Sequence, residues 1–202
     1  MAKGPHPTRE RLIDVVVDLL KTKTTDDITV DEVLSISGIS KGSLYHHFTD
    51  FDNLLDVSLA RRFAAFVEVT IAELVSVTTS VTSAEAMWQG LDAITVSSQD
   101  VENRPNRLTR IQVVARASRN EAFRALLETE QIRLTTALAD LVREGQNRGW
   151  LNSDVSADAA ATFVQAYTLG RVIDDLTEPH LDPTEWTSVI SKAIRGVLEP
   201  KG

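Results

Sequence analysis

The stretch Gly38 to Phe48, GISKGSLYHHF, gathers a lysine, a serine, a tyrosine and two adjacent histidines into about two turns of helix. Such a run is too polar for a core. Its ammonium, hydroxyl, phenol and imidazole groups are all suited to phosphate oxygens and base edges. Lys41 stands where a helix would begin and can reach a phosphate or a guanine edge. Gly42 brings the backbone close, and Ser43 offers a small hydroxyl. Tyr45, His46 and His47 add donors whose rings can touch a thymine methyl or a sugar. Metal binding is the competing chemistry. Neighbouring helical residues diverge by about 100°, and no cysteine or nearby histidine completes a ligand set, so no metal is expected.

Groups of this kind act only if short helices hold them. Thr29 followed by Glu32 has the spacing of a capping box and opens a helix from Val30 to about Ser37. Gly38 ends that helix, and Ser40 can cap the next, Lys41 to His47. Two short helices joined by Gly38-Ile39-Ser40 have the outline of a helix-turn-helix, whose second helix enters the major groove. Val30, Val33, Leu34, Ile39, Leu44 and Phe48 can bury together and fix the angle between them. Thr29 also points a helix N-terminus, with its free N–H groups, toward a phosphate backbone.

The same periodicity runs through the remaining chain. Thr8 could cap a first helix from Arg9 to about Lys21. A long helix from Asp50 or Phe51 carries Leu54, Leu55, Leu59, Phe63, Phe66, Val67, Ile71 and Leu74 at steps of three and four. Further helices begin at Ser83, near Pro105 (with Leu108, Ile111, Val114 and Ala115 as its apolar face), after Asn120, at Ser156 and at Pro183. No alternating strand pattern competes. The expectation is an all-α chain of about nine helices.

Composition narrows the function. The chain has 202 residues, a net charge of −8 and no cysteine, so zinc fingers, iron–sulfur clusters and thiol nucleophiles are excluded. The first 50 residues hold six Lys/Arg against eight Asp/Glu, so the helix-turn-helix segment is not basic. MAKGPHPTRE lacks the apolar stretch of a signal peptide, and no segment reads as a membrane span of about 20 apolar residues. A cytoplasmic protein with no membrane association is expected.

The stretch from Thr29 to Leu55, TVDEVLSISGISKGSLYHHFTDFDNLL, resembles the signature of TetR-family transcriptional regulators. The pattern is a Thr-led helix, Gly-Val/Ile-Ser, a Lys-Gly-Ser/Thr-Leu-Tyr-x-His-Phe recognition helix, and Leu-Leu in the next helix. The match covers most of residues 9–55. The resemblance implies a three-helix DNA-binding domain followed by a six-helix domain that binds a small ligand and dimerises, here divided as residues 1–50 and 51–202. It implies DNA contacts from Thr29, Lys41, Ser43, Tyr45, His46 and His47, to which the close backbone approach at Gly42 is added from its residue type. The chain departs from the pattern at Phe51, where a phosphate-facing lysine is frequent, and at Asp31 and Glu32, one of which is often basic. Fewer phosphate contacts mean a shallower salt dependence.

In the C-terminal part, Phe66, Met87, Trp88, Phe123 and Tyr167 are candidates for an apolar ligand cavity. Gln112, Arg116, Glu130 and Asp174 interrupt apolar stripes, and each must be paired internally or meet a ligand. Phe163, Ala166 and Gly170 on one helix, and Trp186, Ile190, Ala193 and Val197 on the last, resemble the family's four-helix dimer element. The sequence therefore reads as a homodimeric, ligand-responsive repressor of a palindromic operator, needing no cofactor and no catalytic residues. Two alternatives stay open: a helical small-molecule-binding protein with a weakened DNA head, and an all-α enzyme using Glu130, Arg116 or His180.

Overall fold

The computed structural model describes residues 6–200, without the side chain of Val101. Among them it has nine α-helices and no strand: α1 (Pro7–Leu19), α2 (Val30–Ser37), α3 (Lys41–His47), α4 (Phe51–Ser80), α5 (Ala84–Gln99), α6 (Arg104–Ala117), α7 (Glu121–Asn147), α8 (Ala157–Gly170) and α9 (Pro183–Leu198). Local signals set most of the helix starts. Ser40, Ser83 and Ser156 accept the N–H of Ser43, Ala86 and Ala159, and Asp50 and Asn120 accept those of Asn53 and Phe123. Two expected caps differ. α1 is capped by the His6 Nδ1, which accepts from the Thr8 N–H, with Pro7 in the first turn. Thr29 does accept from the Glu32 N–H at 3.3 Å, but the Glu32 carboxylate is held by Lys23 Nζ at 2.5 Å instead of closing a capping box.

The chain forms two compact units. The first comprises residues up to Ala65 together with Gln112–Glu128. Here α1 packs against α2 and α3, burying Leu12, Ile13, Val16, Val33, Leu44 and Phe48. Gly38 has φ 70°, the left-handed conformation that lets the chain reverse between α2 and α3. Its N–H donates to the Leu34 carbonyl at 3.0 Å. Arg61 on α4 ties back to α1 through Glu10 at 2.6 Å and Asp14 at 3.3 Å. Buried Asp56 accepts from the Arg116 Nε and, at 2.9 Å, from the Asn120 amide.

The second unit comprises Phe66–Ile111 and the chain from Thr129. α9 packs on α5: the Trp186 indole donates to Gln99 Oε1 at 2.8 Å, and Arg195 pairs with Asp92 at 3.1 Å. Helix α6 is turned opposite to its expected face. Leu108, Ile111 and Val114 are exposed, the last at 56%. Arg107, Thr109 and Arg110 are buried in their place, with Arg107 only 3% exposed. The cause is Asp175, whose two oxygens each accept from Arg107 at 3.1 Å.

Helix α4 corrects another expectation. Its 30 residues include an 18-residue window of mean hydropathy 1.4, long and apolar enough by length and composition to cross a membrane. The polar residues that separate its apolar steps hid this from a search for an unbroken run. One of them, Glu68, is paired with Arg133 of α7 at 2.6 Å.

The Asp56 site gives a direct test. Removing one partner of a buried pair leaves an uncompensated charge. Asp56→Ala is expected to lower stability by about 3 kcal/mol in urea unfolding; a loss below about 0.5 kcal/mol, the range of ordinary surface substitutions, would contradict the role given to this carboxylate.

Candidate functional site

Helix α3 carries Leu44 and Phe48 inward and presents Lys41, Gly42, Tyr45 and His46 to solvent. Ser43 and His47 are half-buried, and Thr29, at the start of α2, is exposed. The Ser43 hydroxyl accepts from Ser40 Oγ at 3.1 Å, which leaves its own proton free to donate outward. A Cβ added at Gly42 would meet nothing within 4 Å. The fold itself therefore does not demand glycine there, in the first turn of α3, where alanine would be the more stable residue by about 0.4–1 kcal/mol.

The acidic residues near this surface are largely engaged. Glu32 is bound by Lys23, Asp50 caps α4, and Asp52 pairs with Arg116 at 3.4 Å. Asp31 is exposed. A residue that spacing did not reveal joins the site: the His6 ring lies 4.5 Å from that of His47, which also meets His46 at 5.1 Å. Arg9 sits over the Phe48 ring at 5.2 Å. Burial, then His6, His46 and Arg9, hold the His47 imidazole below its ordinary value of 6.5. The shift favours the uncharged imidazole of His47 over the cation. Among the described residues no group of three or more His, Cys, Asp and Glu could hold a metal.

The second unit holds a cavity of about 150 Å³, partly open to solvent. Phe66, Val69 and Leu74 of α4, Ile94 of α5, Leu134 and Leu138 of α7 and Val164 of α8 form its apolar wall. Tyr167, Gln165, Asn106, Arg107 and Arg110 add polar groups. Tyr167 shares a 3.3 Å hydroxyl contact with Thr95, and burial pushes its phenol up.

Of the nine residues expected at a cavity, Phe66 and Tyr167 line this one. Met87 and Trp88 are buried elsewhere in the second unit, Trp88 beneath Arg195 at 4.6 Å. Gln112, Arg116 and Phe123 belong to the first unit, where Arg116 serves Asp56 and Phe123 is core. Glu130 pairs with Arg133 at 2.7 Å. Asp174 faces Arg171 at 3.6 Å and accepts the Leu181 N–H at 2.9 Å. Of the polar residues that interrupt the stripes, Arg116, Glu130 and Asp174 each meet a partner in the chain. The cavity cation that the sequence did not reveal is Arg110, masked because Leu108 and Ile111 beside it looked like the inward face. Its one signal was the spacing of Arg104, Arg107 and Arg110 along a single helical row.

Glu130, Arg116 and His180, weighed as acid–base groups, do not converge. The first two are paired as above, and His180 Nδ1 lies 3.1 Å from the Asp174 carbonyl.

An exposed recognition helix in a helix-turn-helix, followed by a helical unit with a cavity, defines a DNA-binding transcriptional regulator. Residues 89–199 match the family model of the C-terminal domain of BetI-type transcriptional repressors. The chain belongs to the TetR family of transcriptional regulators, and it is a regulator, not an enzyme. The HTH-type transcriptional regulator UidR of Escherichia coli K12 is 20% identical over 98% of this chain and 96% of its own length. Salmonella enterica GusR superposes with a TM-score of 0.67 at 18% identity, covering 97% of each chain. Reduced E. coli NemR gives 0.69 at 17% identity, covering 96% of this chain and 98% of its own. At these identities the structural likeness carries the fold.

The histidine cluster makes a pH prediction. A base with a depressed folded pKa binds fewer protons in the native state, so stability falls as pH drops from 6.5 through the folded value. By NMR titration His47 is expected to titrate below 6.5, and to move back toward it in His6→Ala. An unchanged His47 titration in that variant would remove His6 from the site.

Proposed function

We propose that the chain is a ligand-responsive repressor that binds a palindromic operator as a homodimer and works in the cytoplasm. In this reading residues 1–50 read DNA, and residues 51–202 bind the effector and dimerise. The observation that carries it is the α3 surface: donors turned outward around a glycine that the fold does not itself require. Thr29, Lys41, Gly42, Ser43, Tyr45, His46 and His47 are assigned to DNA. Two copies of α3 would enter successive major grooves about 34–36 Å apart.

For the dimer, α8 supports the reading better than α9. Phe163 and Ala166 are exposed, and a Cβ at Gly170 would meet nothing within 4 Å. The row continues to Ile173 beyond the helix, 72% exposed. On α9, Ile190 is buried and Trp186 is bonded to Gln99 within the subunit, while Ala193 and Val197 are half-buried. The packing of α9 on α5 uses the face that its apolar spacing had offered to a partner.

The cavity of the second unit is assigned to the effector. A coupling of about 1–3 kcal/mol between effector and operator would change affinity some 5- to 150-fold.

Selection of bound sequences from a random DNA pool is expected to enrich an inverted repeat; a folded protein that enriches nothing would leave a helical ligand-binding protein as the better reading. On the selected duplex, Lys41→Ala should reduce the salt slope by about 1, and an unchanged slope would move Lys41 off the phosphate. Gly42→Ala should leave the fold slightly more stable, by about 0.4–1 kcal/mol, yet weaken binding at least tenfold. Retained affinity there would rule out close backbone approach. Phe163→Asp is expected to give folded monomers in sedimentation velocity, and a wild-type dimer would exclude the α8 face.

A further inference from the structure

The cavity contains a cation that no carboxylate or hydrogen-bond acceptor among the described residues answers. Arg104, Arg107 and Arg110 follow one another at one-turn steps on α6. Asp175 holds the first two, at 3.8 Å and 3.1 Å, and Arg107 also donates to the carbonyl of Asp100 at 2.8 Å. Arg110 is different. It is 8% exposed, yet among the described residues it makes no hydrogen bond and no ion pair. Its guanidinium lies over the Phe66 ring, 5.5 Å from the centroid. Burial pushes it down only to about 10, so it stays charged at neutral pH. An ionised group in such a place ordinarily has a partner.

The other groups at the cavity narrow what that partner is. Glu73 is the sole carboxylate of the described lining and is exposed, without an ion pair to Arg110. The Asn106 amide donates to Asn103 at 3.0 Å, and the Gln165 amide to Thr135 at 3.1 Å. Arg110 is therefore the free multiple donor, set against an apolar wall that includes Leu74, Leu134 and Leu138.

We propose that Arg110 anchors a singly charged organic carboxylate whose body is compact and apolar, about the size of one aromatic ring. The guanidinium fork matches the two carboxylate oxygens in plane. The single charge follows from the one cation without a carboxylate partner; a phosphate dianion would bring a second negative charge that no free cation of the described lining matches. The size follows from the volume of about 150 Å³, since an apolar cavity of about that volume accommodates benzene. This proposal rests on the reading of the cavity as the effector site, and it specifies that effector's chemistry.

The test uses benzoate, benzamide and benzylamine, one ring with negative, neutral and positive substituents. Calorimetric titration of the full chain is expected to show benzoate binding at least tenfold tighter than benzamide, with benzylamine silent. Arg110→Leu should abolish that preference while circular dichroism stays unchanged; Arg110→Gln serves the same comparison should the leucine variant fail to fold. Equal affinity for benzoate and benzamide in the wild type, a preference that survives loss of the arginine, or no binding of any probe at millimolar concentration would each overturn the proposal. Affinity for the selected duplex, read in the same samples, separates it from the broader reading. Benzoate bound through Arg110 with operator affinity unchanged removes the effector role and leaves the anion site standing. A neutral probe that shifts operator affinity, with no preference for benzoate, does the reverse.

Discussion

The pair between Arg107 and Asp175 decides which way α6 faces. Both oxygens of a buried carboxylate accept from one buried guanidinium, which also donates to the carbonyls of Asp100 and Ser98. Apolar burial alone would roll the helix the other way. Leu108, Ile111 and Val114 are only 38%, 37% and 56% exposed as they stand, so inserting them would contribute at most about half of the 1.5–3 kcal/mol apiece of full burial, while returning Arg107 and Arg110 to water. Breaking a buried pair costs about 3–5 kcal/mol, because the surviving charge is stranded, and here the carbonyl bonds would be lost as well. The pair therefore holds α6 against its own amphipathicity. The consequence for function is Arg110, one turn on, which is carried into the cavity against the Phe66 ring with no carboxylate to meet it.

The DNA-reading unit solves a different problem. Its first 50 residues carry an excess of acid, which should repel a polyanion. Much of that acid has been given structural work: Glu32 binds Lys23, Asp50 caps α4, and Asp27 accepts from the Thr24 hydroxyl and N–H. The surroundings of His47 disfavour its charged form. Recognition in this account depends less on a diffuse positive field than on donors placed by α3 and on the open surface at Gly42. The expected signature is a modest salt slope combined with strong sensitivity to geometry.

What the sequence revealed follows the range of the interactions involved. Caps at Ser40, Ser83 and Ser156 and the left-handed Gly38 are settled by neighbours a few residues away, so the helix order and the helix-turn-helix were legible. The His6 cap was missed because imidazole is a less usual acceptor at that position than the hydroxyl of Thr8. Which face a helix buries is settled by distant partners. α6 was misread because Asp175 lies 68 residues from Arg107, and the bond from Trp186 to Gln99 was not foreseen because it spans 87 residues. The polar residues in apolar stripes were correctly seen to need partners, but the partners of Arg116, Glu130 and Asp174 turned out to be side chains of the chain itself.

The central claim is that α6 turns a cation with no carboxylate partner into the cavity and that the chain tolerates it for the sake of a ligand. Urea unfolding of unliganded Arg110→Leu against the wild type tests this most directly. A buried charge without a partner is a cost to the free protein, so the account predicts that the leucine variant is more stable, by about 1–3 kcal/mol. A variant less stable than the wild type by a similar amount would mean that Arg110 already has its partner inside the fold, and the account of the cavity would not stand.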